Sequence, residues 1–128
     1  LPLVELDLSK LPEGTPRIAG KEVKWEKETE AYKVTKSAPV EGLDEETRDR
    51  LSETAVSAYQ ALKLRDYGRI DMRLTSKGDV YVIEANPNPQ IARGEDFAES
   101  ARLAGLDYGA LLSRIVNLGL DWEPSQGL

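Results

Sequence analysis

The segment YGRIDMRLTSKGDVYVIEANPNPQ, residues 67–90, constrains the fold of this chain more than any other. Before SKGD, apolar residues alternate with polar ones, and after it comes a run of β-branched and aromatic residues. Both patterns are typical of β-strands. The Lys77-Gly78 pair between them predicts an antiparallel hairpin with a two-residue loop.

The predicted loop places Asp71 opposite Glu84 and Arg69 opposite Asn86 on one face of the hairpin. Directly opposed residues hold their Cβ atoms about 4.5–5.5 Å apart. The other face is expected to pack on helices and carries Ile70, Met72, Ile83 and Ala85. Two opposed carboxylates repel each other and destabilise a sheet, so either chance placement at the surface or a functional site explains them.

The residue types on this face favour a site for a divalent cation and a nucleotide. Mg²⁺ prefers oxygen ligands, usually one or two carboxylates together with phosphate oxygens and water. Asp71, Glu84 and the amide oxygen of Asn86 supply such a set, and the planar guanidinium of Arg69 suits a phosphate. The two prolines that closely follow Asn86 hold this ligand in place, end the strand, or do both.

Composition excludes several other classes of chemistry. The 128 residues include no cysteine and no histidine, which excludes disulfides, Cys/His zinc sites and histidine-dependent triads. A formal charge of −6 argues against nucleic acid and anionic membranes as partners. It does not argue against a nucleotide, because a bound cation reverses the local field. No apolar run of about 18 residues and no signal-peptide pattern occurs, so a cytoplasmic protein is expected.

The first third of the chain predicts little regular structure. Residues 1–8 alternate as a short strand with one apolar face, and residues 9–20 hold two prolines and two glycines, which is typical of a loop. Residues 21–42 are dense in charge. They fit a solvated loop, an edge strand or a functional loop equally well.

Three helices are predicted in the remainder. Asp44 is a candidate N-cap for residues 44–63, residues 94–104 form a short helix ended by Gly105, and Asp107 caps a helix over 108–118. The expected core stripes consist of Leu51, Ala55, Val56, Ala58, Tyr59 and Leu62 in the first helix and Leu111, Leu112, Ile115 and Val116 in the last. We therefore expect an α/β fold of the α+β type, with an antiparallel sheet packed on one face by the helices at 44–63 and 108–118.

The chain begins without methionine, inside what reads as a strand. A domain rarely starts within an element. We therefore expect residues 1–120 to be one lobe of a longer protein and residues 121–128 to be a tail.

At the hairpin the sequence resembles a known family. The pattern R-x-D-hydrophobic, a short turn and E-x-N resembles the metal-binding hairpin of the ATP-grasp superfamily, in its D-alanine–D-alanine ligase-like branch. AESARLAGLDYGALLSRIVNLGL resembles the segment that closes those ligases, and LPLVELDL resembles a strand of their central lobe. GKEVKWEKETEAYK resembles their loop with a lysine before an aromatic residue, here Lys24 and Trp25.

The resemblance implies an ATP- and Mg²⁺-dependent carboxylate–amine ligase that acts through an acyl phosphate, with Mn²⁺ as a substitute cation. Asp71, Glu84 and Asn86 would hold two cations, with Glu84 shared between them. Arg69 would be catalytic, stabilising the acyl phosphate and the tetrahedral intermediate. Such a protein has ATP, a small carboxylic acid and a small amine as substrates. Its macromolecular partner would be the rest of the ligase chain, with a homodimer as an open alternative.

The resemblance also implies that Lys24 reaches the ATP phosphates from a loop over the site. Two neighbouring lysines fit the same role, Lys21 and Lys27.

The sequence departs from the family after Asn86. Gln90 takes the place of a glycine, and no serine follows before Ser100, so the acceptor is not expected to be D-alanine held in the way typical of the family. Arg93 is either a grip for an acidic acceptor or a solvated surface residue. The adenine-binding half of the cleft does not precede Leu1, so this chain alone is expected to bind ATP poorly and to lack ligase activity. Two other readings stay open: a non-catalytic interaction domain that keeps the fold, and a structural module stabilised by a divalent cation such as Ca²⁺.

Overall fold

Seven regular elements follow one another in the computed structural model, which describes residues 1–19, 26, 28–30 and 36–123. They are strands β1 (Val4–Asp7) and β2 (Lys36–Pro39), helix α1 (Glu45–Ala61), strands β3 (Arg69–Leu74) and β4 (Val80–Asn86), and helices α2 (Asp96–Leu103) and α3 (Tyr108–Leu120). The expected α+β class is confirmed. No helix among the described residues is both long and apolar enough to cross a bilayer.

The strands form two separate two-stranded sheets in the described part of the chain, whereas one sheet was expected. β1 pairs with β2 in antiparallel register, from Val4 opposite Pro39 to Asp7 opposite Lys36. β3 pairs with β4, also antiparallel. Alternation in a sequence indicates a strand but not its neighbour, which is why the division was missed.

The first sheet lies in a compact unit of its own, Leu3–Glu41, while Leu1–Pro2 and Gly42–Leu128 make up the second unit. In the first unit Leu6 and Leu8 pack against the buried Leu11. Of the alternatives given for residues 21–42, the edge strand is the one that residues 36–39 adopt.

Helix α1 begins as predicted. The carboxylate of Asp44 accepts hydrogen bonds from the backbone N–H and the hydroxyl of Thr47, each at 2.8 Å. The buried side of α1 differs from the predicted one. Leu51 and Thr47 are buried, while the predicted members Val56 and Leu62 are exposed. The prediction was wrong for these two because Leu62 is already the C-cap and Val56 lies on the exposed side of α1, while Ala55, Ala58 and Tyr59 are partly buried.

The contact surface of α1 is the second hairpin. The helix packs against β3 and β4. At the far end, Arg50 Nη1 donates a hydrogen bond to the carbonyl of Gly78 at 3.0 Å, which ties the helix to the hairpin loop.

Helices α2 and α3 pack chiefly on each other, not on a sheet as expected of residues 108–118. Gly105, at φ +82°, follows the end of α2, and Asp107 Oδ1 accepts from Ala110 N at 2.9 Å to cap α3, both as predicted. The small core between them contains Ala98, Ala101 and Leu111, surrounded by Phe97, Leu106, Tyr108 and Ile115. Val116, predicted to be in the core, is 57% exposed.

We expect Asp44→Ala to lower the thermal unfolding midpoint at pH 7. The backbone N–H of Thr47, and after it the Thr47 hydroxyl, lower the pKa of the Asp44 carboxyl below its ordinary 3.8. A depressed pKa contributes stability that is present above 3.8 and is lost as the pH falls through the lower value of the folded state. The difference from the parent chain should therefore shrink in acid, as followed by circular dichroism melts. Asp49→Ala, exposed on the same helix, should change little; equal midpoints for Asp44→Ala and the parent chain at pH 7 would contradict the cap.

Gly78→Ala should lower the free energy of unfolding by about 1 kcal/mol, because Gly78 has φ +85° and a side chain costs energy in that region. Gly119→Ala is the matched control. Gly119 lies within α3, where an added Cβ meets nothing within 4 Å, and alanine favours a helix. Urea denaturation should give shifts of opposite sign for the two variants, and a stabilised Gly78→Ala chain would show the loop assignment to be wrong.

Candidate functional site

The polar face of the β3–β4 hairpin forms with the predicted pairing. Asp71 lies opposite Glu84, and Arg69 lies opposite Asn86. Three of these side chains are partly buried and Glu84 is exposed. The structure therefore brings the four predicted residues together on one surface.

The hairpin loop is longer than predicted. Thr75 N donates to Asp79 O at 2.9 Å and Gly78 N donates to Thr75 O at 3.0 Å, which leaves three residues, 76–78, in the loop. The Thr75 hydroxyl also accepts from Lys77 N and Asp79 N. The predicted two-residue loop at Lys77-Gly78 is wrong because the Thr75 side chain organises a wider turn, a competition that side chains of this type offer to strand pairing.

A β-bulge restores the predicted register. Next to the loop Met72 pairs with Val82, yet Asp71 pairs with Glu84, so the intervening Ile83 has no partner on β3. With the longer loop and no bulge, Asp71 would have faced Ile83. Bulges bend a strand and redirect side chains, frequently beside functional sites. The two errors in the sequence-based hairpin, loop length and missing bulge, cancel at Asp71.

The bulge also overturns one expected position. Ile83 was assigned to the face that packs on helices, but it is 68% exposed. An exposed apolar side chain thus stands immediately before Glu84. Strand alternation could not reveal it, because a bulge breaks that alternation.

Arg69 offsets part of the repulsion between the carboxylates. Its Nε donates to Asp71 Oδ1 at 2.6 Å and its Nη2 to Asp71 Oδ2 at 3.0 Å, a bidentate pair of side chains that are 33% and 30% exposed. The hydrogen bonds that Arg69 donates to Asp71 raise the pKa of Arg69 against some desolvation, and the charges of Asp71, Glu84 and Asp96 act in the same direction as those bonds. The guanidinium therefore contacts Asp71 directly and is also influenced by the charges of Glu84 and of Asp96 at the start of α2.

The amide of Asn86 is held by the chain that follows it. Asn86 Oδ1 accepts from Asn88 N at 2.9 Å, and Asn88 Oδ1 in turn accepts from Tyr67 OH at 2.8 Å. Pro89 is buried. Tyr67 and Asn88 were not predicted to matter. Tyr67 lies two residues before Arg69, and Asn88 lies two residues after Asn86. Both therefore extend the polar face of the hairpin, and this spacing is the signal that could have identified them.

The donor set fits a hard cation that also binds a ligand. A carboxylate offers about four lone-pair sites, so Asp71 retains capacity beside its two bonds to Arg69, and the Asn86 oxygen retains one lone pair. Together with Glu84, these side chains supply about half of an octahedral shell, and phosphate oxygens and water commonly supply the rest. In the ranges described, no cluster of three or more Asp, Glu, His or Cys side chains is arranged to hold a metal ion.

Other predicted residues lie apart from this group. Lys24, with Lys21 and Lys27, falls outside the described residues. The guanidinium of Arg93 lies over the ring of Tyr108, 4.5 Å from its centroid.

Comparison with known proteins gives consistent matches. The family model described as D-ala D-ala ligase C-terminus matches residues 17–117. The D-alanine–D-alanine ligase of Desulfotalea psychrophila is 34% identical over 80 residues, which cover 62% of this chain and 24% of the relative. That of Lacticaseibacillus casei is 39% identical over 79 residues, covering 62% and 22%. The chain thus spans about a quarter of the length of the curated relatives it matches.

A solved structure also matches. The D-alanine–D-alanine ligase from Bacillus anthracis, crystallised in complex with ATP, superposes with a TM-score of 0.63 at 31% identity. The match covers 67% of this chain and 29% of that one.

The Arg69–Asp71 pair should contribute measurably to stability. Removing both members in a double-mutant cycle, with Arg69→Met and Asp71→Asn, should give a coupling energy of about 1–2 kcal/mol, reduced by the partial solvent exposure of the pair. Urea denaturation of the four proteins at low and high salt measures it. Arg69→Met alone should be the most destabilised, because it leaves Asp71 and Glu84 opposed without the guanidinium; additive effects would mean that the pair is not coupled.

Proposed function

This chain belongs to the D-ala D-ala ligase C-terminus family, and from that premise we propose that it forms the metal-binding lobe of an ATP- and Mg²⁺-dependent carboxylate–amine ligase. The ligase would act through an acyl phosphate, in a cytoplasmic protein of which residues 1–120 are one lobe. The observation that carries the proposal is the pairing of Asp71 with Glu84 on the face that also holds Arg69 and Asn86.

The proposed cation ligands are Asp71, Glu84 and Asn86. An opposed pair of carboxylates is costly in a sheet unless positive charge lies between or beside them. Arg69 meets part of that need, and Glu84 is exposed to solvent. When bound, Mg²⁺ would neutralise charge on the ATP phosphates during transfer. Mn²⁺ takes similar oxygen ligands and would substitute.

Arg69 is the proposed catalytic side chain. Asp71 occupies the Nε–Nη2 edge and so holds the guanidinium in place, which leaves Nη1 and the second Nη2 N–H as donors for an anion. In the proposed reaction, the terminal phosphoryl group of ATP passes to an oxygen of the substrate carboxylate and ADP leaves. The amine then attacks the acyl carbon and loses a proton, and phosphate is expelled. Arg69 is suited to both the acyl phosphate and the oxyanion of the tetrahedral intermediate.

Ile83 extends the proposed nucleotide surface. It is 68% exposed and directly precedes a proposed cation ligand, so an exposed apolar side chain is next in sequence to Glu84. Nucleotide sites combine such apolar surface with a few placed polar groups. The crystallised relative that superposes on this chain contains ATP, which supports the same class of ligand here.

Arg93 is a candidate binding residue for the acceptor amine. Arg93 lies on the segment between β4 and α2, with one face of its guanidinium on Tyr108 and its side chain exposed. Its N–H edge is available to a carboxylate. An acidic acceptor is the alternative to the D-alanine that the names of the relatives indicate.

Steady-state ATP turnover by the full-length protein with a panel of amino acids tests the proposal. Asp71→Asn and Glu84→Gln should each lower turnover by about 100-fold or more, because each removes a charged ligand. The matched controls are Asp49→Asn and Glu53→Gln, exposed on α1, which should keep full activity.

Three outcomes would contradict the proposal. Normal ATP turnover by both site variants would remove these residues from the site. Tight Ca²⁺ binding without any nucleotide turnover would favour a structural module. A non-catalytic interaction domain would be favoured if no amino acid supports ATP turnover and both site variants bind a protein partner as well as the unmodified protein does.

A further inference from the structure

The open end of the β3–β4 hairpin is closed by side chains. β4 ends at Asn86, and the residues at 87 and 89 are prolines, which have no backbone N–H to continue the ladder. One step beyond the Arg69–Asn86 pair, Tyr67 OH donates to Asn88 Oδ1 at 2.8 Å. A side-chain hydrogen bond thus takes over where backbone pairing stops.

This bond continues into the proposed cation site. Asn88 N donates to Asn86 Oδ1 at 2.9 Å, so the position of Asn88 decides where the Asn86 oxygen points. Oδ1 and Nδ2 of an asparagine are related by a half-turn of the amide about the Cβ–Cγ bond. That rotation puts the donor Nδ2 where the acceptor Oδ1 had been. Only the oxygen can bind a cation. The bond from Asn88 therefore selects the useful rotamer of Asn86.

Tyr67 itself is anchored in the helical core. Its ring meets the ring of Phe97 edge to face, with centroids 5.7 Å apart and an interplanar angle of 68°. Phe97 packs against the cluster of Ala98, Ala101 and Leu111 between α2 and α3. A continuous path of contacts therefore runs from that core through Tyr67 and Asn88 to Asn86.

We propose that Tyr67 is a positioning residue of the cation site: its hydroxyl holds Asn88, and through it orients the Asn86 amide oxygen as a ligand. This inference rests on the proposed function, because it needs Asn86 to bind the cation. Tyr67 touches neither the cation nor the nucleotide in this proposal. Groups that orient metal ligands from behind typically change metal affinity or activity by about 10–100-fold when they are removed.

Tyr67→Phe is the central test, because it removes the hydroxyl and keeps the ring on Phe97. Mn²⁺ alone is the probe, titrated into this chain and followed by the electron paramagnetic resonance signal of the free ion. We expect the dissociation constant to rise about tenfold, at the lower end of the range for such groups, with the unfolding midpoint nearly unchanged. Tyr81→Phe, which removes an exposed hydroxyl from the same hairpin, is the matched control and should leave the affinity unaltered.

A second readout needs no cation. Hydrogen exchange of the Asn88 backbone amide, measured by NMR in metal-free protein, should quicken in Tyr67→Phe because the acceptor at Asn86 is no longer held. Asn88→Ala removes the acceptor of the tyrosine hydroxyl and should raise the Mn²⁺ dissociation constant by a similar factor. The double variant should be no worse than either single one, since both break the same path.

The outcomes separate this inference from the proposed function. If the parent chain binds Mn²⁺ and Asn86→Ala weakens that binding, but Tyr67→Phe leaves both affinity and exchange unchanged, only the role of Tyr67 is overturned. A lower unfolding midpoint in Tyr67→Phe with unchanged affinity would make Tyr67 purely structural, which also overturns it. If neither the unmodified 128-residue chain nor the full-length protein with ATP binds Mn²⁺, the proposed cation site is overturned, and so is the role of Tyr67.

Discussion

The opposition of Asp71 and Glu84 across a two-stranded hairpin is the constraint on which the candidate site depends. Two carboxylates at paired positions repel each other, and a hairpin of two strands has little stability with which to offset that repulsion. The bidentate contact of Arg69 with Asp71 supplies positive charge on the same face. The proposed cation would supply more, so the hairpin is electrostatically suited to a bound state that carries phosphate and metal together.

The surrounding structure holds this hairpin at both ends. At the loop, Arg50 on α1 bonds the carbonyl of Gly78. At the open end, Tyr67 bonds Asn88 and rests on Phe97. Helix α1 packs against the hairpin, while α2 reaches it through the contact of Phe97 with Tyr67. Helices α2 and α3 pack chiefly on each other, and on the polar face of the hairpin Glu84 is exposed while Arg69, Asp71 and Asn86 are partly exposed.

Much of the local structure could be predicted, and the failures have identifiable physical causes. Helix starts at Asp44 and Asp107 were predicted because a cap is a contact within four residues. The loop and the bulge were not predicted, since the Thr75 hydroxyl and an unpaired Ile83 leave no mark in the alternation of apolar residues. The predicted burial of Val56, Leu62 and Val116 failed because an apolar stripe shows what can be buried, while only a packed neighbour decides what is.

The sequence by itself determined the chemistry: which oxygen and nitrogen donors are available, which are two residues apart on a strand, and a family resemblance that the comparisons confirm. Tertiary structure decided how those donors are used. The bulge at Ile83 pairs Glu84 with Asp71. The guanidinium of Arg69 donates to Asp71, and the hydroxyl of Tyr67 donates to Asn88 on the opposite side of the hairpin. Local rules act over a few residues along the chain, whereas register, ion pairing and side-chain relays depend on distances between segments that only folding brings together.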